Sequence, residues 1–116
     1  MVFTGIGRVF STENEAQYET IGAFWDALAA KYGRENLRGL GYNWTAATME
    51  YVIGLKEGDI PGSDCCVELP DAGWAVVTGK TDNLGTIYGE IYKDGSLKYE
   101  IETFTDDGDC EIWYLR

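Results

Sequence analysis

The chain has 116 residues, and nine Lys and Arg against twenty Asp and Glu give it a formal net charge of −11. A field of that sign repels nucleic-acid phosphates and anionic membrane surfaces and attracts cations or basic proteins, so direct nucleic-acid or membrane binding is not expected. Histidine is absent and the three cysteines, Cys65, Cys66 and Cys110, have no paired metal spacing, which removes Ser-His-Asp and Cys-His nucleophiles, imidazole haem ligation and most zinc sites.

Any chemistry therefore falls to carboxylates, tyrosines or a cysteine. The 45% hydrophobic and 14% aromatic content suits one folded domain with a real core. No charged-then-apolar leader and no run of membrane-spanning length stands in the sequence, so a stand-alone cytoplasmic protein is expected. Thr4-Gly5-Ile6-Gly7 lacks the later glycine of a dinucleotide fingerprint, and no Walker lysine motif appears, so no nucleotide cofactor and no metal are expected.

Val2 to Phe10 reads as a strand interrupted by Gly5 and Gly7. Thr12 and Glu15 have capping-box spacing, and Tyr18, Ile21, Trp25, Leu28 and Tyr32 then recur at steps of three and four, predicting an amphipathic helix stopped by Gly33. A loop around Gly39 and Gly41 is expected next, followed by strands over Trp44–Thr48 and from Met49 or Glu50 to Leu55. Lys56 to Ser63, polar and carrying glycines and a proline, is the natural joint between two halves, about 1–60 and 64–116. The order then repeats. Strands over Cys65–Leu69 and Gly73–Lys80 precede a shorter helix from about Asn83 to Tyr92, with Leu84, Ile87, Tyr88, Ile91 and Tyr92 on its buried side and Gly95 closing it. Gly85 and Gly89 would let a backbone or a ligand approach that helix.

Leu97–Phe104 and Cys110–Leu115 flank Asp107-Gly108, which predicts a hairpin with a two-residue turn. That turn sets Phe104 opposite Glu111, Glu102 opposite Trp113 and Glu100 opposite Leu115. Alternation then puts Leu97, Tyr99, Ile101, Cys110, Ile112 and Tyr114 on the core face, and Glu100, Glu102, Phe104, Glu111, Trp113 and Leu115 on the other. Carboxylates interleaved with aromatic rings suit an organic cation, which the ring faces and a partly desolvated carboxylate both attract. Asp106, Asp107 and Asp109 lack the spacing of a calcium loop and read as turn residues.

The stretch Glu68-Leu69-Pro70-Asp71-Ala72-Gly73-Trp74-Ala75-Val76-Val77-Thr78-Gly79-Lys80 and then Ile87-Tyr88-Gly89-Glu90-Ile91-Tyr92 resembles the GyrI-like family. Tyr99-Glu100-Ile101 and Cys110-Glu111-Ile112-Trp113 continue the likeness, with Tyr18–Trp25 and Met49–Gly54 matching more loosely in the first half. The resemblance implies an α+β fold of duplicated β-α-β-β units, forming an antiparallel sheet with two helices and a central ligand cleft. It also implies that Glu100 contacts a ligand's positive charge, that Glu111 stands where the family often has Glu, and that Tyr18, Tyr51, Tyr88 and Trp113 line the cleft. Trp44 joins these candidates, although its default place, like that of Trp74, is the core. The expected partner is a small organic molecule, cationic or aromatic, bound by a monomer or homodimer without a DNA-binding domain. Two alternatives stand beside it: hydrolysis of cyclopropane-containing natural products, in which Glu111 and Glu100 would be the carboxylates and Tyr51 or Tyr88 the hydrogen-bond donor, and gyrase-inhibitor-like binding of a basic protein partner.

Overall fold

A computed structural model describes residues 1–116. In chain order the elements are β1 (Val2–Ser11), α1 (Gln17–Tyr32), β2 (Leu37–Tyr42), β3 (Thr48–Leu55), β4 (Cys65–Glu68), β5 (Ala75–Lys80), α2 (Leu84–Tyr92), β6 (Tyr99–Phe104) and β7 (Asp109–Leu115), with single 3-10 turns before α1, β2 and α2. The seven strands form one antiparallel sheet in the order β4-β1-β3-β2-β6-β7-β5, so the fold is a mixed α/β one. Neither helix is long and apolar enough to cross a membrane.

Both helices lie on one side of the sheet. Trp25 and Leu28 of α1 pack with Tyr51 and Ile53 of β3, Leu37 of β2 and Phe104 of β6. Ile91 of α2 packs with Ile112 of β7 and Val77 of β5. On the other side, Phe3, Leu40, Val52, Leu69 and Ile101 form a second core with Val67 and Trp74. Removing such side chains from water is the main force holding these layers together.

Three expectations need correction. The capping box is not formed: Asn14 and Glu15 adopt φ values of 54° and 58°, the chain kinks there, and α1 begins only at Gln17 without a side-chain cap. The stop is as expected, with Gly33 at φ 83° donating its N–H to the Ala29 carbonyl at 2.9 Å. Second, the segment with Gly39 and Gly41 is a central strand, β2, and of the Trp44–Thr48 stretch all but Thr48, the first residue of β3, belongs to the connection between β2 and β3. These glycines permit close approach: a Cβ at Gly39 would overlap the Tyr51 hydroxyl and lie 2.8 Å from Trp25 Cζ2.

The third correction concerns the last hairpin. Phe104 pairs with Cys110, Glu102 with Ile112 and Glu100 with Tyr114, one residue away from the expected register. Thr105 N–H donates to the Asp109 carbonyl at 2.9 Å, enclosing Asp106, Asp107 and Gly108 in a three-residue loop with Gly108 at φ 83°. A loop of that length takes its glycine in the left-handed position, and the one extra residue inverts every side chain of β7 relative to β6. Cys110, Ile112 and Tyr114 therefore share the helix side with Glu100 and Glu102, while Tyr99 and Ile101 share the other side with Glu111 and Trp113.

Gly39→Ala is expected to destabilise the protein by about 1–3 kcal/mol, because the added methyl is forced between Tyr51 and Trp25. Urea unfolding followed by tryptophan fluorescence measures this, and an unchanged midpoint would contradict the packing described.

Candidate functional site

The central strands β2 and β6 pair with Gly41 opposite Glu100 and Gly39 opposite Glu102. Each carboxylate thus faces a residue without a side chain, which leaves room for it on the helix side of the sheet. Both glutamates are buried, at 7% and 8% exposure. Burying one carboxylate is costly unless it is well hydrogen-bonded, and two on one strand face repel each other.

Glu102 meets that requirement. It accepts hydrogen bonds from the hydroxyls of Tyr51 on β3 and Tyr88 on α2, and the Trp25 indole N–H of α1 lies 3.1 Å from its Oε1. The same indole proton is shared with the Tyr51 hydroxyl oxygen at 2.7 Å. Burial and the adjacent Glu102 charge push the Tyr51 and Tyr88 hydroxyls well above the ordinary tyrosine range, so both stay protonated and donate.

Glu100 is less well provided for. Its Oε2 accepts one hydrogen bond, from the Tyr92 hydroxyl at 2.6 Å, and its Oε1 has no protein partner. Burial first, and the charge of Glu102 second, raise the Glu100 carboxyl from 4.5 to about 8, while Tyr92 acts in the opposite direction. At neutral pH Glu100 holds a proton inside the protein.

Above these two carboxyls lies a cavity of about 880 Å³ between α1 and α2. Trp25, Tyr51 and Phe104 line its inner part, Tyr88 and Tyr92 line the α2 wall, and Tyr18, 63% exposed, stands at the rim. Trp44 also lines it, held in the β2–β3 connection by Thr45, whose Oγ1 accepts the N–H groups of Ala47 and Thr48 at 3.2 and 2.9 Å. At one end Arg34 pairs with Asp26 at 2.9 Å and lies over the Trp25 and Phe104 rings, 5.8 and 5.5 Å from their centroids. Its charge is therefore already occupied.

The structure brings together Glu100, Tyr18, Tyr51, Tyr88 and Trp44 of the residues expected from sequence. It does not bring in Glu111 and Trp113. The inverted β7 register puts both on the far side of the sheet, where the Trp113 indole N–H donates to Glu111 and Trp113 is 38% exposed. Three members of the site were missed: Glu102 as the hydrogen-bonded carboxylate beside Glu100, Tyr92 as the donor to Glu100, and Trp25, read from its helical spacing as core alone. The i, i+4 spacing of Tyr88 and Tyr92 and the i, i+2 spacing of the glutamates were visible signals, but neither shows which face meets a cavity. Cys110 is buried, and that burial raises its thiol, so it offers no thiolate.

The raised Glu100 carboxyl ties stability to pH. In the unfolded chain it ionises near 4.5, whereas the folded protein keeps the proton to about 8. Its contribution is therefore complete below pH 4.5, falls as pH climbs and is gone above about 8. Relative to Glu100→Gln, the wild type should lose up to about 1.4 kcal/mol per pH unit in the middle of that window, measured by urea unfolding at pH 5, 6 and 7. Parallel pH profiles for the two proteins would refute the assignment. No protein-family model, curated protein or solved structure matches the chain, so the chemistry of the cavity itself carries the functional reading.

Proposed function

We propose that the cavity reversibly binds a hydrophobic organic cation, whose apolar body lies against the aromatic walls and whose charge meets Glu100. One observation carries this: Glu100 is a buried residue lining the cavity, yet its Oε1 is left without a protein donor and open to that space, whereas Glu102 has three donors. A cation supplies the countercharge that burial denies Glu100, and the neighbouring rings add attraction through their faces. Anions gain nothing there, since the Glu102 charge and the net charge of −11 oppose them.

In the same reading the chain is a GyrI-like domain of two related units, β1-α1-β2-β3 and β5-α2-β6-β7. In support, β1-β3-β2 is followed in the sheet by β6-β7-β5, a mirrored order about the β2–β6 pair, with β4 added beside β1. Each unit places its helix between its first and second strands. The ligand would then sit at the junction of the two units.

Binding a permanent cation must release the Glu100 proton below about pH 8. Affinity for a lipophilic quaternary ammonium compound is therefore expected to rise about tenfold per pH unit between pH 6 and 7.5 and then level off. Thermal shift and calorimetric titration over a set of such compounds measure this, with Glu100→Gln expected to lose at least tenfold in affinity and all of the pH dependence. Equal binding by the variant, or no stabilisation by any cation, would remove the proposal.

A second reading, hydrolysis of a strained electrophile, is favoured by one feature: Glu100 holds a transferable proton in a largely apolar enclosure beside the Tyr92 hydroxyl. It requires turnover. Product formed from a cyclopropane-containing aromatic substrate and abolished by Glu100→Gln would support it, and unchanged substrate would exclude it.

A further inference from the structure

Three glycines lie inside helices of this protein: Gly22 in α1, and Gly85 and Gly89 in α2. Glycine is the least favourable helix residue after proline, so each weakens its helix relative to alanine. Nothing within the chain requires them. None has a positive φ, and a Cβ at any of the three would meet no atom within 4 Å. All three nevertheless line the same cavity.

Their placement on the helices is regular. Gly22 lies one turn from both Tyr18 and Asp26, which also line the cavity, and Gly85 and Gly89 are one turn apart on α2 beside Tyr88 and Tyr92. The Tyr88 and Tyr92 rings are stacked, with centroids 5.9 Å apart and planes at 26°. Each wall is thus bare backbone edged by rings, and at its inner end stands the unpaired Oε1 of Glu100. Missing side chains allow a ligand to approach the helix backbone itself. A compact head group or a single alkyl chain has no need of that approach, whereas a broad flat molecule does.

We propose that the cavity is a slot for a flat, fused multi-ring ligand, which enters between α1 and α2 against the bare backbone at Gly22, Gly85 and Gly89. The proposal rests on the reading of the cavity as a binding site for an organic cation and narrows it to a shape. The ring system lies along the glycine walls, and its positive end is directed at Glu100.

The test compares wild type, Gly22→Ala/Gly85→Ala/Gly89→Ala, the double variant Gly85→Ala/Gly89→Ala and Glu100→Gln. The probes are 10-methylacridinium, tetramethylammonium and uncharged 9-anthracenemethanol, with affinity read by fluorescence or calorimetry and folding by thermal melting. Both alanine variants are expected to melt above wild type, to bind 10-methylacridinium at least tenfold more weakly and to bind tetramethylammonium as wild type does. Should the triple variant fold poorly, the double variant carries the same comparison. Undiminished 10-methylacridinium binding by the alanine variants overturns the slot, and if Glu100→Gln still weakens that probe, the cation reading survives alone. Equal loss of tetramethylammonium in the alanine variants also overturns it, since the loss then owes nothing to shape. Wild-type binding of 9-anthracenemethanol as tight as that of 10-methylacridinium, lost in the alanine variants, upholds the slot and overturns the cation reading. No binding of either three-ring probe by wild type overturns both.

Discussion

The hydrogen bonding of Glu102 connects elements that packing alone would hold only loosely. Its carboxylate, on β6, is reached by Trp25 from α1, Tyr51 from β3 and Tyr88 from α2. Both helices and two interior strands of the sheet converge on one buried acceptor. An isolated carboxylate at that depth would be strongly unfavourable, and removing one of its donors leaves the cost with nothing to offset it. The network therefore makes helix position conditional on side-chain geometry, as an apolar core alone does not. It also fixes the distance between α1 and α2, and with it the width of the space between them.

Glu100 follows from Glu102. The two lie two residues apart on one strand face, so the charge that Glu102 carries opposes a second charge beside it. Tyr92 supplies Glu100 with one donor where Glu102 has three. The inequality gives the pair two roles. One carboxylate is saturated and structural, and the other is protonated and open to the cavity. Aromatic residues from both helices and from β3 line the space around the pair.

Glycine contributes to the same space in two distinct ways. In β2, Gly39 lies against the Tyr51 phenol and Gly41 against Glu100 and Met49, each opposite one of the two glutamates, so that large side chains from neighbouring strands fit where a side chain from β2 would have been. In the helices, Gly22, Gly85 and Gly89 border open volume and touch no other part of the protein. The first kind is required by packing. The second kind acquires a meaning only once something occupies the cavity.

The sequence by itself determined the existence and order of most elements. The 3-4 spacing from Tyr18 to Tyr32, the stop at Gly33, the α2 stripe and the break at Pro70–Gly73 are local patterns, and a helix or turn answers to local patterns. It also put Glu100, Tyr51, Tyr88, Tyr18 and Trp44 on the candidate list, and these five line the cavity. Tertiary structure decided the rest. Gly39 and Gly41 read as a loop because propensity disfavours glycine in strands, and the reason for them, a tyrosine and two glutamates arriving from distant segments, is invisible along the chain. One residue more in the Asp106–Gly108 loop moved Glu111 and Trp113 to the far side of the sheet, because strand side chains alternate and a single-residue slip reverses them all. Which carboxylate is saturated and which is left open depended on donors 14 to 77 residues away from Glu102, and such separations are set by packing, not by pattern.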